Sequence, residues 1–310
     1  MAYSDEFYAL AAKVRQWGRW GASDEIGTIN LIDAEARRRG AASVRSGKAF
    51  TLAMPLDENG PQLGFMPGRT NPVHTMVQIN EAARPDGANT GFCFSDDAIQ
   101  MGVQACTHWD ALSHASYDGK LWNGHRADAI NEHGATKCGI DKVKSIVTRG
   151  VLLDLCAAKG VDQMPNGHAL TADDLDEACE HGKVQVEPGD VILLPTGHMQ
   201  RFLAGDKMNY AIHSCGPSMQ SVEWFKDHDV AAVTIDNIIF EVFPCEREDT
   251  WLPVHFLHLV DMGMMQGQNW NMEELAADCA DDGQYTFFLS ATPEPITNGT
   301  GSMVNPTALK

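Results

Sequence analysis

The sequence predicts an α/β protein, a mixed sheet with flanking helices. Two kinds of segment point to it. Short continuous apolar runs at 150–155, 191–194 and 230–235 read as strands buried on both faces. Stretches with apolar residues at helical spacing follow several of these runs, as they do when helices cover a sheet. Element order alone leaves the sheet topology open. No internal repeat, low-complexity tract or linker interrupts the 310 residues, so one domain spanning 1–310 is expected.

The elements follow in order. Residues 4–17 place Phe7, Leu10, Ala11, Val14 and Trp17 at helical spacing behind a Ser4 or Asp5 cap. A second helix is expected over 33–46, closed by Gly47. Residues 49–56 alternate like a strand, and 57–71 form a long Gly/Pro/Asn-rich loop. Loops of that length are commonly functional, which makes Phe65, Met66 and Pro67 candidate lid residues. Residues 73–80 read as a strand carrying His74, and 85–97 as a second loop. Thr171 and Asp174 open a helix to about His181 with a capping-box pattern. A turn at 186–190 precedes the strand 191–194. Residues 217–227, 253–262 and 272–280 read as helices, and 285–290 as a last strand.

Composition narrows the function. Hydrophobic residues make up 44% and charged residues 21%, ordinary values for a soluble globular protein. A formal charge of −19 argues against nucleic acid or an anionic membrane as partner, since both require basic patches. No run of 18 apolar residues occurs, and the start Met-Ala-Tyr-Ser-Asp-Glu lacks a signal pattern, so a cytoplasmic location is expected. The 8 cysteines are scattered singly without a Cys-x-x-Cys pair, which suits small buried side chains in a reducing compartment better than a disulfide framework.

The run from Gln104 to His114, reading Gln-Ala-Cys-Thr-His-Trp-Asp-Ala-Leu-Ser-His, carries the chemistry. In an extended chain His108 and Asp110 point the same way, and an imidazole with a carboxylate can grip one divalent ion. The whole run cannot be one straight strand, because residues four apart would lie about 13 Å from each other. If Gln104 also binds, the chain must bulge or coil between 104 and 108. The aromatic side chains Trp109, Trp122, Phe65 and Phe92 either wall a cyclic or aromatic substrate or pack the core.

The same run resembles the signature His-x-Gly-Thr-His-x-Asp-x-Pro-x-His of the cyclase family of metal-dependent hydrolases, which includes bacterial kynurenine formamidase and isatin hydrolase. Further blocks carry the resemblance along the chain: Trp17 to Gly21, Asp24 to Leu31, Arg149 to Asp154, Pro195 to Gly197, Pro253 to His255 and Gly301 to Pro306. It implies a swivelling β/β/α fold, a homodimer or higher homo-oligomer, and a small-molecule substrate. It implies His108 and Asp110 as metal ligands and His114 as the acid/base residue. Gln104 stands where the motif has its first His, Cys106 where it has Gly, and Gln268 where the family has a Glu that helps to hold a second ion. His255 matches a family position and His198 falls near the family's substrate, so both are expected to bind substrate. With two strong donors exchanged for amides at Gln104 and Gln268, one divalent ion, Mn²⁺ or Zn²⁺, is expected instead of two zincs. The expected reaction is hydrolysis of a non-peptide C–N bond in an amide, formamide or cyclic imide. Lactone hydrolysis, a lyase or dehydratase reaction, and a non-catalytic binding role with a degenerate metal site are the alternatives.

Overall fold

The computed structural model describes residues 3–82, 86 and 91–310. Its frame is a nine-stranded mixed sheet in the order Ala49–Thr51, Thr307–Leu309, Thr286–Ser290, Val147–Leu152, Val191–Leu194, Ala232–Ile235, Met265–Gln268, His108–Asp110, Gly301–Met303. The four strands from Val147–Leu152 to Met265–Gln268 run parallel. All other pairings in the sheet are antiparallel. This is the mixed sheet with flanking helices that the sequence predicts.

The parallel centre is apolar because both of its faces are covered. Ile192, Leu194, Val233 and Ile235 join one apolar cluster, whereas Val191, Leu193, Ala232 and Met265 join the other. A side-chain period of two sends neighbours to opposite faces, so a strand covered on both sides, such as Val191–Leu194, is apolar at successive positions. Helices Asp5–Val14, Ala172–Gly182 and Val222–Asp227 roof the first cluster through Phe7, Leu175 and Phe225. Helix Glu273–Asp282 covers part of the second through Leu275 and Cys279. Helix starts follow the expected capping chemistry. Ser4 accepts from the Phe7 amide, Asp33 accepts from Glu35 and Ala36, and Thr171 with Asp174 completes a capping box.

Several elements differ from expectation. The strand expected over 49–56 is confined to Ala49–Thr51, beyond which Leu52 bonds to the Pro306 carbonyl and Met54 to the Thr107 hydroxyl. The loop expected over 85–97 contains a strand, Cys93–Gln100, paired antiparallel with Val73–Ala82. Within it, Pro85 and residues 87–90 lie outside the described residues. The strand read at 150–155 is Val147–Leu152, and Leu155 opens a helix capped by Asp154. Only Val222–Asp227 is helical within 217–227, since Ser218 and Ser221 close a turn ahead of it. The helix expected over 253–262 is α-helical at Pro253–Phe256 and widens into a π-helix at Leu257–Met262. Gly263 ends it at φ 69°, where a Cβ would come within 2.6 Å of the Trp122 ring. Among the described residues no helix is long and apolar enough to cross a membrane.

Candidate active site

Strand His108–Asp110 lies between Met265–Gln268 and Gly301–Met303. His108 sits opposite Gln268 and Met303, and Asp110 opposite Gln266 and Gly301. Turns bend the chain on both sides, with the Ala105 amide bonded to Gly102 O at 2.9 Å and the His114 amide to Ala111 O at 2.8 Å. That is the bent path the 104–114 run requires. Thr107 anchors the strand: its hydroxyl donates to the Asn269 carbonyl at 2.5 Å and accepts from the Met54 amide at 2.8 Å.

Asp110 is the centre of the cluster. Its Oδ2 accepts from Gln268 Nε2 at 2.6 Å. Its Oδ1 lies 3.4 Å from His108 Nε2 and 3.7 Å from His114 Nε2, and has no hydrogen bond although fully buried. Burial alone would raise the Asp110 carboxyl, but the positive charge that His114 and His108 carry when protonated outweighs it and holds the group well below the usual carboxylate range. His108 Nδ1 donates to the Cys106 carbonyl at 2.7 Å, and Asn269 Nδ2 donates to the same oxygen at 3.1 Å. With its proton on Nδ1, the ring turns the Nε2 lone pair toward Asp110.

An orphaned buried carboxylate oxygen facing an imidazole lone pair suits a cation. Ligand atoms about 2.1 Å from one tetrahedral ion stand roughly 3.4 Å from one another, and the His108–Asp110 pair has that spacing. Among the described residues no three His, Cys, Asp or Glu side chains are arranged to hold an ion. The ligand atoms at hand are the His108 imidazole and the Asp110 carboxylate, with the Gln268 side chain beside them through the N–H it donates to Asp110. Gln268 is 3% exposed at the end of its strand. Gln104 adjoins the cluster without a hydrogen bond to it: its Nε2 is 3.3 Å from Thr300 Oγ1, and the side chain packs on Gly301.

His114, His255 and Gln268 face a cavity of about 710 Å³ whose walls include Phe65, Met66, Ile239, Phe243, Trp251 and Phe256. His255 Nδ1 is 2.5 Å from Glu241 Oε1. Glu241 also accepts the amides of Val254 and His255 at 3.0 Å each, which seats the start of Pro253–Phe256 on the same carboxylate. This fixes the His255 ring with Nε2 free toward the cavity. Burial would lower His255, but the Glu241 hydrogen bond and charge outweigh it and raise the imidazole; at His114 burial wins over Asp110 and lowers it. The two rings are driven apart in basicity. The sequence reading missed Glu241. Its signal was a lone acid inside the apolar run 238–243, where a buried carboxylate needs partners.

The remaining candidates are placed elsewhere. Trp109 points away from His108 and Asp110 into the core, its Nε1 bonded to Ala291 O at 2.8 Å and its ring 5.1 Å from Trp270. Trp122 is also fully buried, bonded to Asp24. Neither lines the cavity, whereas Phe65 does. His198 is buried against Tyr210, its Nε2 bonded to the Tyr210 carbonyl at 3.1 Å, and burial pushes it down to about 4. Burial pushes the Cys106 thiol up to about 11, which makes it a poor nucleophile. His258 is a core residue between Phe225 and Phe240. Phe92 is exposed beside the strand Cys93–Gln100.

A buried His-x-Asp strand next to the last parallel strand, with His114 and Gln268 leading from it to an apolar cavity, defines an α/β protein with a pocket sized for a small molecule. Residues 50–242 match the family described as "Putative cyclase". A crystal structure of a novel cyclase is 36% identical, covers 100% of both chains and superposes with a TM-score of 0.88. The chain belongs to this cyclase family. Isatin hydrolase A from Labrenzia aggregata, bound to benzyl benzoate, superposes with a TM-score of 0.62 at 19% identity, covering 86% of this chain and 94% of its own. A potential metal-dependent hydrolase with cyclase activity gives 0.53 at 16% identity, covering 84% and 98%. These last two share the fold. No curated protein matches the chain.

Proposed function

We propose that this protein is a metal-dependent hydrolase of a non-peptide C–N bond in an amide, formamide or cyclic imide. The observation that carries the reading is Asp110 Oδ1, buried, unpaired and flanked by His108 and His114 next to an apolar cavity. His108 Nε2 and Asp110 would hold one divalent ion, Mn²⁺ or Zn²⁺, joined by the Gln268 oxygen once that amide turns over, with Gln104 adjoining. Such an ion supplies Lewis acidity, lowering the pKa of water and polarising a carbonyl.

The chain's own groups move the protons. His114, against Asp110 and open to the cavity, is placed to take the proton of the attacking water. His255, oriented by Glu241, is placed to give a proton to the leaving nitrogen. The aromatic and aliphatic walls hold the body of the substrate and exclude bulk water. The isatin hydrolase relative, with its bound benzyl benzoate, is consistent with an aryl compound in such a pocket.

The test is turnover by purified protein of aryl amides, cyclic imides and lactones, before and after chelation. Hydrolysis of an amide or imide that is lost on chelation and restored by Mn²⁺ or Zn²⁺ supports the reading. Lactone turnover alone, or turnover indifferent to chelation, contradicts it.

A further inference from the structure

Arg69 also lines the cavity, and the mechanism above does not use it. It is the only Arg or Lys on that wall, which carries no Asp or Glu among the described residues. Among the described residues its guanidinium has no ion pair or side-chain hydrogen bond, although the chain has a formal charge of −19. Arg15, Arg19, Arg39, Arg126, Arg149 and Arg247 all pair with carboxylates. Arg69 is also held in place. Its amide bonds to Met66 O at 3.1 Å, and Gly102 bonds to Thr70 O at 3.1 Å. A Cβ at Gly102 would lie 3.2 Å from Arg69 Cγ, so the stem packs on bare backbone there. The positive charge bears on both His114 and His255.

A half-buried guanidinium among apolar walls, without a protein acceptor, is matched by an anion from outside. One guanidinium balances one negative charge. A phosphate monoester would call for a second cation, which the wall does not offer.

We infer that Arg69 forms a carboxylate subsite, so that the substrate is an apolar molecule bearing one carboxylate besides the bond to be cleaved. This rests on reading the cavity as the substrate site. The planar fork of arginine takes a carboxylate through two parallel hydrogen bonds, which also sets the end of the molecule presented to His114 and His255.

Calorimetric titration with 3-phenylpropionate and with 3-phenylpropan-1-ol, which shares the body but not the charge, tests the subsite without turnover. The wild type should bind the acid about tenfold or more tightly than the alcohol. Arg69→Met should abolish that preference, and Arg69→Lys should keep part of it. Asp110→Ala should retain the preference, which separates the guanidinium from capture of the carboxylate by a metal. His114→Ala should also retain it even if turnover is lost, so the subsite and the hydrolase reading fail independently. A preference that survives Arg69→Met, or a wild type that shows none, overturns the proposal.

Discussion

Asp110 gathers the site because it is the one carboxylate that the strand His108–Asp110 points at other polar side chains. Its neighbours divide the work: Gln268 fixes the carboxylate, His108 faces its free oxygen, and His114 opens to the cavity. If His114 moves a proton, His114→Ala should keep bound metal and lose about 10²–10⁴-fold in turnover. Steady-state kinetics beside metal analysis checks this, and activity within about threefold of wild type would pass the role to His255. Glu241 acts through His255. Glu241→Gln should lower turnover by roughly 10–100-fold with metal content unchanged. Unchanged turnover in that variant would reduce Glu241 to a brace for Pro253–Phe256.

At the scale of elements, what was legible followed from local rules. The strand Val191–Leu194 shows in its unbroken apolar run, and Ala172–Gly182 in Thr171 and Asp174. Thr171→Ala should cost about 1 kcal/mol of stability, read as a fall in denaturation midpoint; no change would mean that packing through Leu175 and Ala178 alone sets that helix. The Thr-His-x-Asp strand was legible because its donors are adjacent. Met265–Gln268 was not, since Gln266 and Gln268 break the apolar pattern and their burial depends on neighbours distant in sequence. Glu241 was hidden for the same reason, finding His255 only when the chain folds back. Trp109 and Trp122 were ambiguous because core and pocket call for the same aromatic chemistry, and only the facing of each side chain decides.

The whole molecule leaves one feature uncovered. Among the described residues, strands Val73–Ala82 and Cys93–Gln100 pair only with each other and are exposed on both faces, with Val77 62% and Ile79 66% accessible. Two strands bury too little to be stable alone, and exposed apolar side chains at this density mark contact surfaces. We propose that a second copy of the chain covers them in a homodimer or higher homo-oligomer. Sedimentation analysis should give a dimer or larger, shifted toward monomer by Val77→Lys with Ile79→Lys. A monomeric wild type would contradict it.

The central claim is that Asp110 and His108 hold one divalent ion behind the His114 and Gln268 wall of the cavity. Elemental analysis of the purified protein, with His108→Ala and Asp110→Ala alongside, tests it most directly. The account predicts one equivalent of Mn or Zn per chain in the wild type and almost none in either variant, with the fold retained by circular dichroism. A full equivalent in either variant would remove the ion from this cluster. Two equivalents in the wild type would show that residues beyond Gln104 and Gln268 complete a second site.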